Sequence, residues 1–238
     1  MKRTRALAFA AVVALVAGAV GCSDDTSQSS GTGDRTVTLV TYSGYALPSD
    51  AAAAFTKRTG WKVKVVDAGD AGSMLSAAIL TAGRPEGDVL FGVDNTFLTR
   101  AQDSDACEGY RPPSRGEVRG DLRLDDSGRF TPIDDGSVCV IADGAWLEGH
   151  GIPTPGDLAS LTAPLYRDLL VVEHPAQSSP GLAFLAATRA AFGNGADEYW
   201  QRLKANGVAV AGSWDDAYNS RYTVNGGDRP LVVSYASS

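Results

Sequence analysis

Residues 37–93 read VTLVTYSGYALPSDAAAAFTKRTGWKVKVVDAGDAGSMLSAAILTAGRPEGDVLFGV. Residues 37–41 are short, apolar and β-branched, the signature of a strand. Ser49 or Asp50 caps a helix over residues 51–57, and Gly60 ends it. Residues 63–66 form a second strand. A helix over 73–82 stops at Gly83 and Pro85, and residues 88–93, DVLFGV, read as a third strand of the fully buried type. This β-α-β-α-β order predicts an α/β fold with a mostly parallel sheet and helices on both faces.

The pattern lapses over residues 103–135, which are charged and carry Gly109, Pro112, Pro113, Gly116 and Gly120. They read as irregular, pinned in part by Cys107. It then resumes: strands over 138–142 and 169–173, helices over 181–192 and 196–204, a short strand over 208–210 and a last strand over 231–235. Ser213 and Asp216 form a capping box that opens a helix over 214–221. One break followed by resumption predicts two α/β lobes, 36–133 and 134–230, with 231–238 as a return strand to the first. In open α/β sheets ligands bind beyond the carboxyl ends of the strands, so the loops there are the place to look for function.

The chain has 238 residues and a formal net charge of −7. Lys2, Arg3 and Arg5 precede an apolar run over 6–20, shorter than the roughly 20 residues a membrane span needs, and together they read as a secretory leader over 1–21. Its removal takes three basic residues away and leaves the body more acidic. Such a body lacks the basic patch that nucleic acid requires. With 44% hydrophobic and 21% charged residues it is globular.

Cys22 follows Ala19-Val20-Gly21, an arrangement resembling a bacterial lipobox with Ala19 in place of the usual large aliphatic residue. It fits either a lipidated N-terminus, anchored through buried CH₂ groups, or ordinary cleavage nearby that leaves a free thiol. Residues 22–35, polar and rich in Ser and Gly, fit a flexible tether. In an exported chain Cys107 and Cys139 fit a disulfide, which would contribute roughly 3 kcal/mol, or alternatively two buried free thiols. His150 and His174 have no ligand-like spacing to either, so no metal site is expected.

The strand-end loops carry Tyr42, then Asp70 and Ser73, then Asp94, and in the second half Ser178, Ser179 and Gly181, Trp214 and Tyr218, and Tyr235. Ser178-Ser179-Pro180-Gly181 fits a helix N-cap, and equally an anion site of hydroxyls and free N–H groups. Trp214 and Tyr218 share one helix face and fit core packing as well as ligand stacking. Asp70 and Asp94 fit loop caps, and Tyr42 fits sheet packing. Taken together, the aromatic faces attract a flat cation, the carboxylates complement its charge, and the helix tip receives an anionic tail. No nucleophile elbow, phosphate-binding glycine loop or zinc-protease motif is present, so an enzyme is not expected and no cofactor is implied.

GDVLFGVDNTFLTRA, EHPAQSSPGLAFLAATRAAFG, ADEYWQRLKANGVAVAGSWDDAYNSRY and GDRPLVVSYASS resemble the thiamine-binding lipoproteins of bacterial ABC importers, and VTLVTYSGY and GDAGSML resemble that family's first ligand loops. The resemblance spans residues 36–238 and is weakest over 103–130. It implies a type-2 periplasmic-binding-protein fold whose interlobe cleft captures thiamine or its phosphates and closes by a hinge. Carried over, Tyr42, Trp214, Tyr218 and Tyr235 pack on the ligand rings. Asp70, Ser73 and Asp94 bind its polar atoms or order the cleft. Ser178, Ser179 and the Gly181 N–H receive a phosphate or hydroxyl. A permease and its ATPase are the implied partners, the lipid-bearing outer face of the cytoplasmic membrane the implied location, and a monomer the expected state. Relatives commonly read Tyr-Asp-Ser-Phe where this chain reads Tyr42-Ser43-Gly44-Tyr45, and they continue past Ser238. A truncated product with a weakly stable first lobe is therefore expected. The other readings are a ferric-ion or polyamine-type binding protein and a secreted carboxylate-dependent enzyme.

Overall fold

The computed structural model describes residues 35–238. The leader, Cys22 and all of the tether but Arg35 lie outside the described residues. The first sheet has the order β2-β1-β3 and is parallel throughout. Its strands are β1 (Thr36–Thr41), β2 (Lys62–Asp67) and β3 (Val89–Phe91), joined by helices α1 (Ser49–Thr59) and α2 (Ala71–Leu80). The register sets Thr41 beside Asp67 and Phe91, so the three strands end together and their following loops meet. Gly60 closes α1 in the left-handed conformation, with its N–H on the Thr56 carbonyl at 2.8 Å.

β3 is shorter and more exposed than its apolar run predicts. Gly92 has φ +122°, which takes the chain out of the strand, and a Cβ there would lie 2.4 Å from the Tyr42 ring. Val89 is 48% exposed. β2 alternates Lys with Val and stays half exposed, and α1 buries none of its residues. The apolar packing of this part centres on α2 and α3 (Leu98–Gln102), where Ala71, Leu75, Phe97 and Ala101 form a cluster.

The second sheet runs β4-β7-β5-β6, with β4 antiparallel to β7 and the remaining pairs parallel. Its strands are β4 (Val138–Ala142), β5 (Leu170–Glu173), β6 (Ala209–Ala211) and β7 (Leu231–Tyr235). Both faces of the central strands are covered, as continuous apolar runs require. Leu170, Val172, Leu231 and Val233 pack with Phe184 of α5 (Ser179–Phe192), Tyr199 and Leu203 of α6 (Ala196–Ala205) and Leu147 of α4 (Gly144–Gly149). The intervening Val171 and Val232 pack with Ala211, Ala217 and Tyr222 on the opposite face. The capping box forms, with the Asp216 N–H on Ser213 Oγ at 3.0 Å, but the helix it opens becomes a π-helix over Asp216–Arg221.

Two expectations need correction. β7 does not return to the first sheet. It lies inside the second, between β4 and β5, because its alternating valines fill both apolar layers there. Cys107 and Cys139 are also unbonded. The β4 ladder turns Val138 and Val140 onto the main core and leaves Cys139 exposed, while Cys107 sits partly buried beyond α3, its thiol pKa pushed up by burial.

Residues 103–135 are held by a carboxylate instead of a disulfide. Asp125 is buried and accepts hydrogen bonds from Gln102 Nε2 (3.0 Å), Ser127 Oγ (2.8 Å), Gly128 N (3.0 Å) and Phe130 N (3.3 Å). Burial opposes its charge, but the hydrogen bonds from Ser127 and Gln102 overcome that and hold its pKa well below the usual carboxylate range. Arg129 reaches the Ser104 carbonyl at 2.7 Å, and Arg115 reaches the Asp125 carbonyl at 2.6 Å. Replacing Asp125 with Ala should cost about 1–3 kcal/mol in urea unfolding and speed amide exchange selectively in this segment, since several donors lose their acceptor. Peptide mapping after native thiol labelling should find Cys139 modified first and Cys107 slowly, and reductant should leave the Tm unchanged.

Candidate functional site

The loops after the first three strands are tied to one another. The Ser43 N–H donates to the Gly69 carbonyl at 3.0 Å, and Asp67 Oδ1 accepts from Ser43 Oγ and the Gly69 N–H, both at 2.8 Å. This fixes Tyr42 beside the loop that carries Asp70. The Tyr42 ring packs against Tyr45 and Phe91 with centroids 6.1 and 6.0 Å apart.

Asp70 occupies the N-cap position of α2, yet its carboxylate caps nothing. Its Oδ2 instead accepts the backbone N–H of Trp214, 144 residues further along the chain, at 2.7 Å. Two residues on, the Gly72 N–H donates to the Gln177 carbonyl at 2.8 Å. The approach is so close that a Cβ at Gly72 would sit 2.5 Å from the Ala176 carbonyl oxygen. Leu182 of α5 packs on the α2–α3 cluster at the same place. The α2 N-terminus therefore faces the segment that enters α5. Ser73 lies in the first turn of α2, partly buried.

On the second sheet, Ser178, Ser179 and Gly181 are buried at the start of α5. Ser178 Oγ has no hydrogen-bond partner of good geometry. A Cβ at Gly181 would lie 2.4 Å from the Glu173 carbonyl oxygen, so the helix can rest on the end of β5 only with glycine there. Trp214 and Tyr218 stack on each other, with centroids 4.9 Å apart and planes 10° from parallel. Tyr218 also packs on the second core layer, and the indole Nε1–H of Trp214 donates to Ser234 Oγ at 2.9 Å.

These groups converge on Tyr235. Burial raises its pKa, and the charges of Asp94, Tyr42, Asp70 and Glu173 raise it further. The structure thus gathers both halves of the predicted set around one phenol: Tyr42, Asp70 and Asp94 from the first sheet, and Tyr235 from the second. Trp214 joins through Asp70 and Ser234, and Ser178 acts on Asp70. Asp94 also has a local task, its Oδ1 accepting from Thr96 Oγ1 at 2.7 Å and from the Thr96 and Phe97 N–H groups. The Asp70 pKa is raised by burial, an effect the Trp214 N–H and the Ser178 hydroxyl oppose and Asp215 and Asp67 reinforce.

Sequence reasoning missed Glu173. It is 1% exposed, and neither of its carboxylate oxygens has a hydrogen-bond partner. Burial, reinforced by Asp70, pushes its pKa up to about 8. The signal in the sequence was an acidic residue closing the apolar run LLVVE, at the carboxyl end of a strand.

Two α/β sheets with polar and aromatic groups at their strand ends fit an extracellular solute-binding protein. The sequence profile of bacterial extracellular solute-binding proteins matches residues 85–237, and the chain belongs to that family. It is 27% identical over 189 residues to the thiamine-binding periplasmic protein of Brucella abortus, an alignment covering 77% of this chain and 52% of that protein. The chain thus spans about half the length of the curated relatives it matches. Among solved structures it is similar to a periplasmic thiamin binding protein, with a TM-score of 0.69, 22% identity and coverage of 85% of this chain and 62% of that one. It is also similar to iron-bound HitA from Pseudomonas aeruginosa, with a TM-score of 0.66, 21% identity and coverage of 84% and 63%. These structures share the fold with this chain.

The Glu173 environment has a consequence for stability. The folded protein holds this proton to about pH 8, whereas the unfolded chain releases it near the ordinary glutamate value. The folded state therefore binds more protons across that window, and stability falls as pH rises through it. Glu173→Gln should match the parent near pH 5 and exceed it at pH 8 by roughly 3 kcal/mol in urea unfolding.

Proposed function

We propose that this protein is the extracytoplasmic substrate-binding component of an ABC importer and that it captures thiamine or a thiamine phosphate between two lobes. The first lobe spans residues 36–133. The second begins at 134 and includes β7. The observation that carries this reading is the convergence of Tyr42, Asp70 and Asp94 with Tyr235, beside the Trp214–Tyr218 stack. Aromatic faces bind a flat organic cation through their quadrupoles, and the neighbouring carboxylates match its charge. The α5 N-terminus, with Ser178, Ser179 and the Gly181 N–H, receives a hydroxyl or phosphate tail in this reading, which the free N–H groups of a helix start support.

In this reading Ser73 and Asp94 order the rim and Asp70 serves two ends. It orders the Trp214 loop through the backbone N–H and supplies negative charge to the cleft. The loaded form docks on a membrane permease driven by a separate ATPase. Lipidated Cys22 and the polar tether hold a monomer at the outer face of the cytoplasmic membrane. The thiamine-binding relative supports this ligand over ferric ion, as does the ring-rich composition of the site.

Titration with thiamine should quench tryptophan fluorescence. Trp214→Phe should reduce the amplitude and weaken binding roughly tenfold, the scale of one good ring–cation contact. A chain that shows no response to thiamine, and develops a visible charge-transfer band with ferric citrate, would overturn this assignment in favour of iron.

A further inference from the structure

The second sheet fixes where the Glu173 side chain points. Along β5, Leu170 and Val172 pack on the α5–α6 core, while Val171 packs on the opposite layer with Ala217 and Tyr222. Strand alternation puts Glu173 on the Val171 face. Val171 pairs with Val232, so Ser234 is the corresponding neighbour of Glu173 on β7, and Ala211 is its partner on β6. Ser234 is the residue whose hydroxyl accepts the Trp214 indole N–H. Glu173 therefore shares a sheet face with the residue that anchors the Trp214 indole, at the carboxyl end of a parallel strand.

Nothing on the neighbouring elements neutralises it. Asp70 and Tyr235 act on it through their charges, Ser234 flanks it on β7 and Ala211 on β6, and α5 rests on its Cβ at Gly181. Asp215 and Asp67 add negative charge around Asp70. His174, next along the chain, is exposed, with Nδ1 accepting the Ala176 N–H at 3.2 Å. Among the described residues neither Asp70 nor Glu173 enters an ion pair. The Ser234 hydroxyl is already used, between Trp214 and Ser238.

A buried carboxylate without a single partner destabilises the fold, and an apolar residue of similar size would pack better. A second polar group, Ser178 Oγ, is likewise 1% exposed and has only Asp70 beside it. Both interact with Asp70, the residue that receives the Trp214 N–H.

We propose that Glu173 is a ligand-contacting, specificity-determining residue that receives the cationic or N–H-rich end of the solute and releases one proton to solvent as it does so. The exchange balances: a neutral carboxylic acid and a cation become a carboxylate–cation pair and a solvated proton. It selects against neutral and anionic solutes of the same shape, which cannot displace the proton. This inference rests on the thiamine reading above for its choice of probe.

Calorimetry of thiamine binding at pH 6, 7 and 8, each in two buffers of different ionisation enthalpy, tests it on the full chain and on Glu173→Gln. For the parent, Kd should tighten by nearly tenfold per pH unit below the midpoint, with proton release approaching one per thiamine. The Gln variant should bind no more tightly than the parent does at pH 6, with the same Kd at every pH, and release no proton. Parent binding that is independent of pH, without proton release, would overturn the role of Glu173 and leave the thiamine reading intact. A parent that binds no thiamine at any pH would overturn both.

Discussion

The hydrogen bond from the Trp214 backbone N–H to Asp70 ties the loops of the second sheet to those of the first, and it brings the Trp214 ring to the Tyr42 loop, where a Cβ at Gly44 would lie 3.4 Å from the indole. Asp70 stands at the start of α2, where an aspartate would ordinarily cap its own helix. By reaching across the molecule instead, it sets the height at which the Trp214–Tyr218 stack faces the first sheet. The Gly72–Gln177 bond and the packing of Leu182 on the α2–α3 cluster hold the same approach from the α5 side. Remove the carboxylate and the aromatic rim loses its reference to Tyr42 and Asp94.

That junction is polar where a core would be apolar. Asp70, Glu173, Ser178 and Tyr235 are drawn into a low-dielectric space with little compensation, and burial raises the pKa of each ionisable group among them. Such an arrangement opposes stability. It makes physical sense in a protein whose ligand supplies the missing partners, because unsatisfied buried groups become affinity once a complementary solute arrives. The second sheet, covered by apolar layers on both faces, is the packed frame that carries the Glu173, Ser178 and Tyr235 side of this junction.

Much of this was legible in the sequence, for a definable reason. Strands such as 138–142 and 231–235, and the helices that become α5 and α6, announce themselves through local apolar periodicity and end signals, which depend only on near neighbours. Tyr42, Asp70, Ser178, Trp214 and Tyr235 could be picked out because α/β sheets present function at their strand ends. Other features depend on long-range packing and were misread. β7 looked like a return to the first sheet, whereas the valines on its two faces find complementary layers only in the second. The cysteine pair suggested a crosslink, whereas the β4 ladder leaves Cys139 exposed and away from the core. The pin of residues 103–135 turned out to be Asp125, one of many acidic residues and unremarkable until its donors are seen.

By itself the sequence determined the α/β class, the order of elements, the acidic body and the membership of the strand-end loops, because each is encoded in spacing and composition. Only the tertiary structure decided which sheet β7 joins, that Asp70 binds Trp214 instead of capping α2, and that Glu173 is buried without a partner. Those facts turn on contacts between residues far apart in the chain, and the free energy of such a contact exists only once the backbone has brought its two ends together.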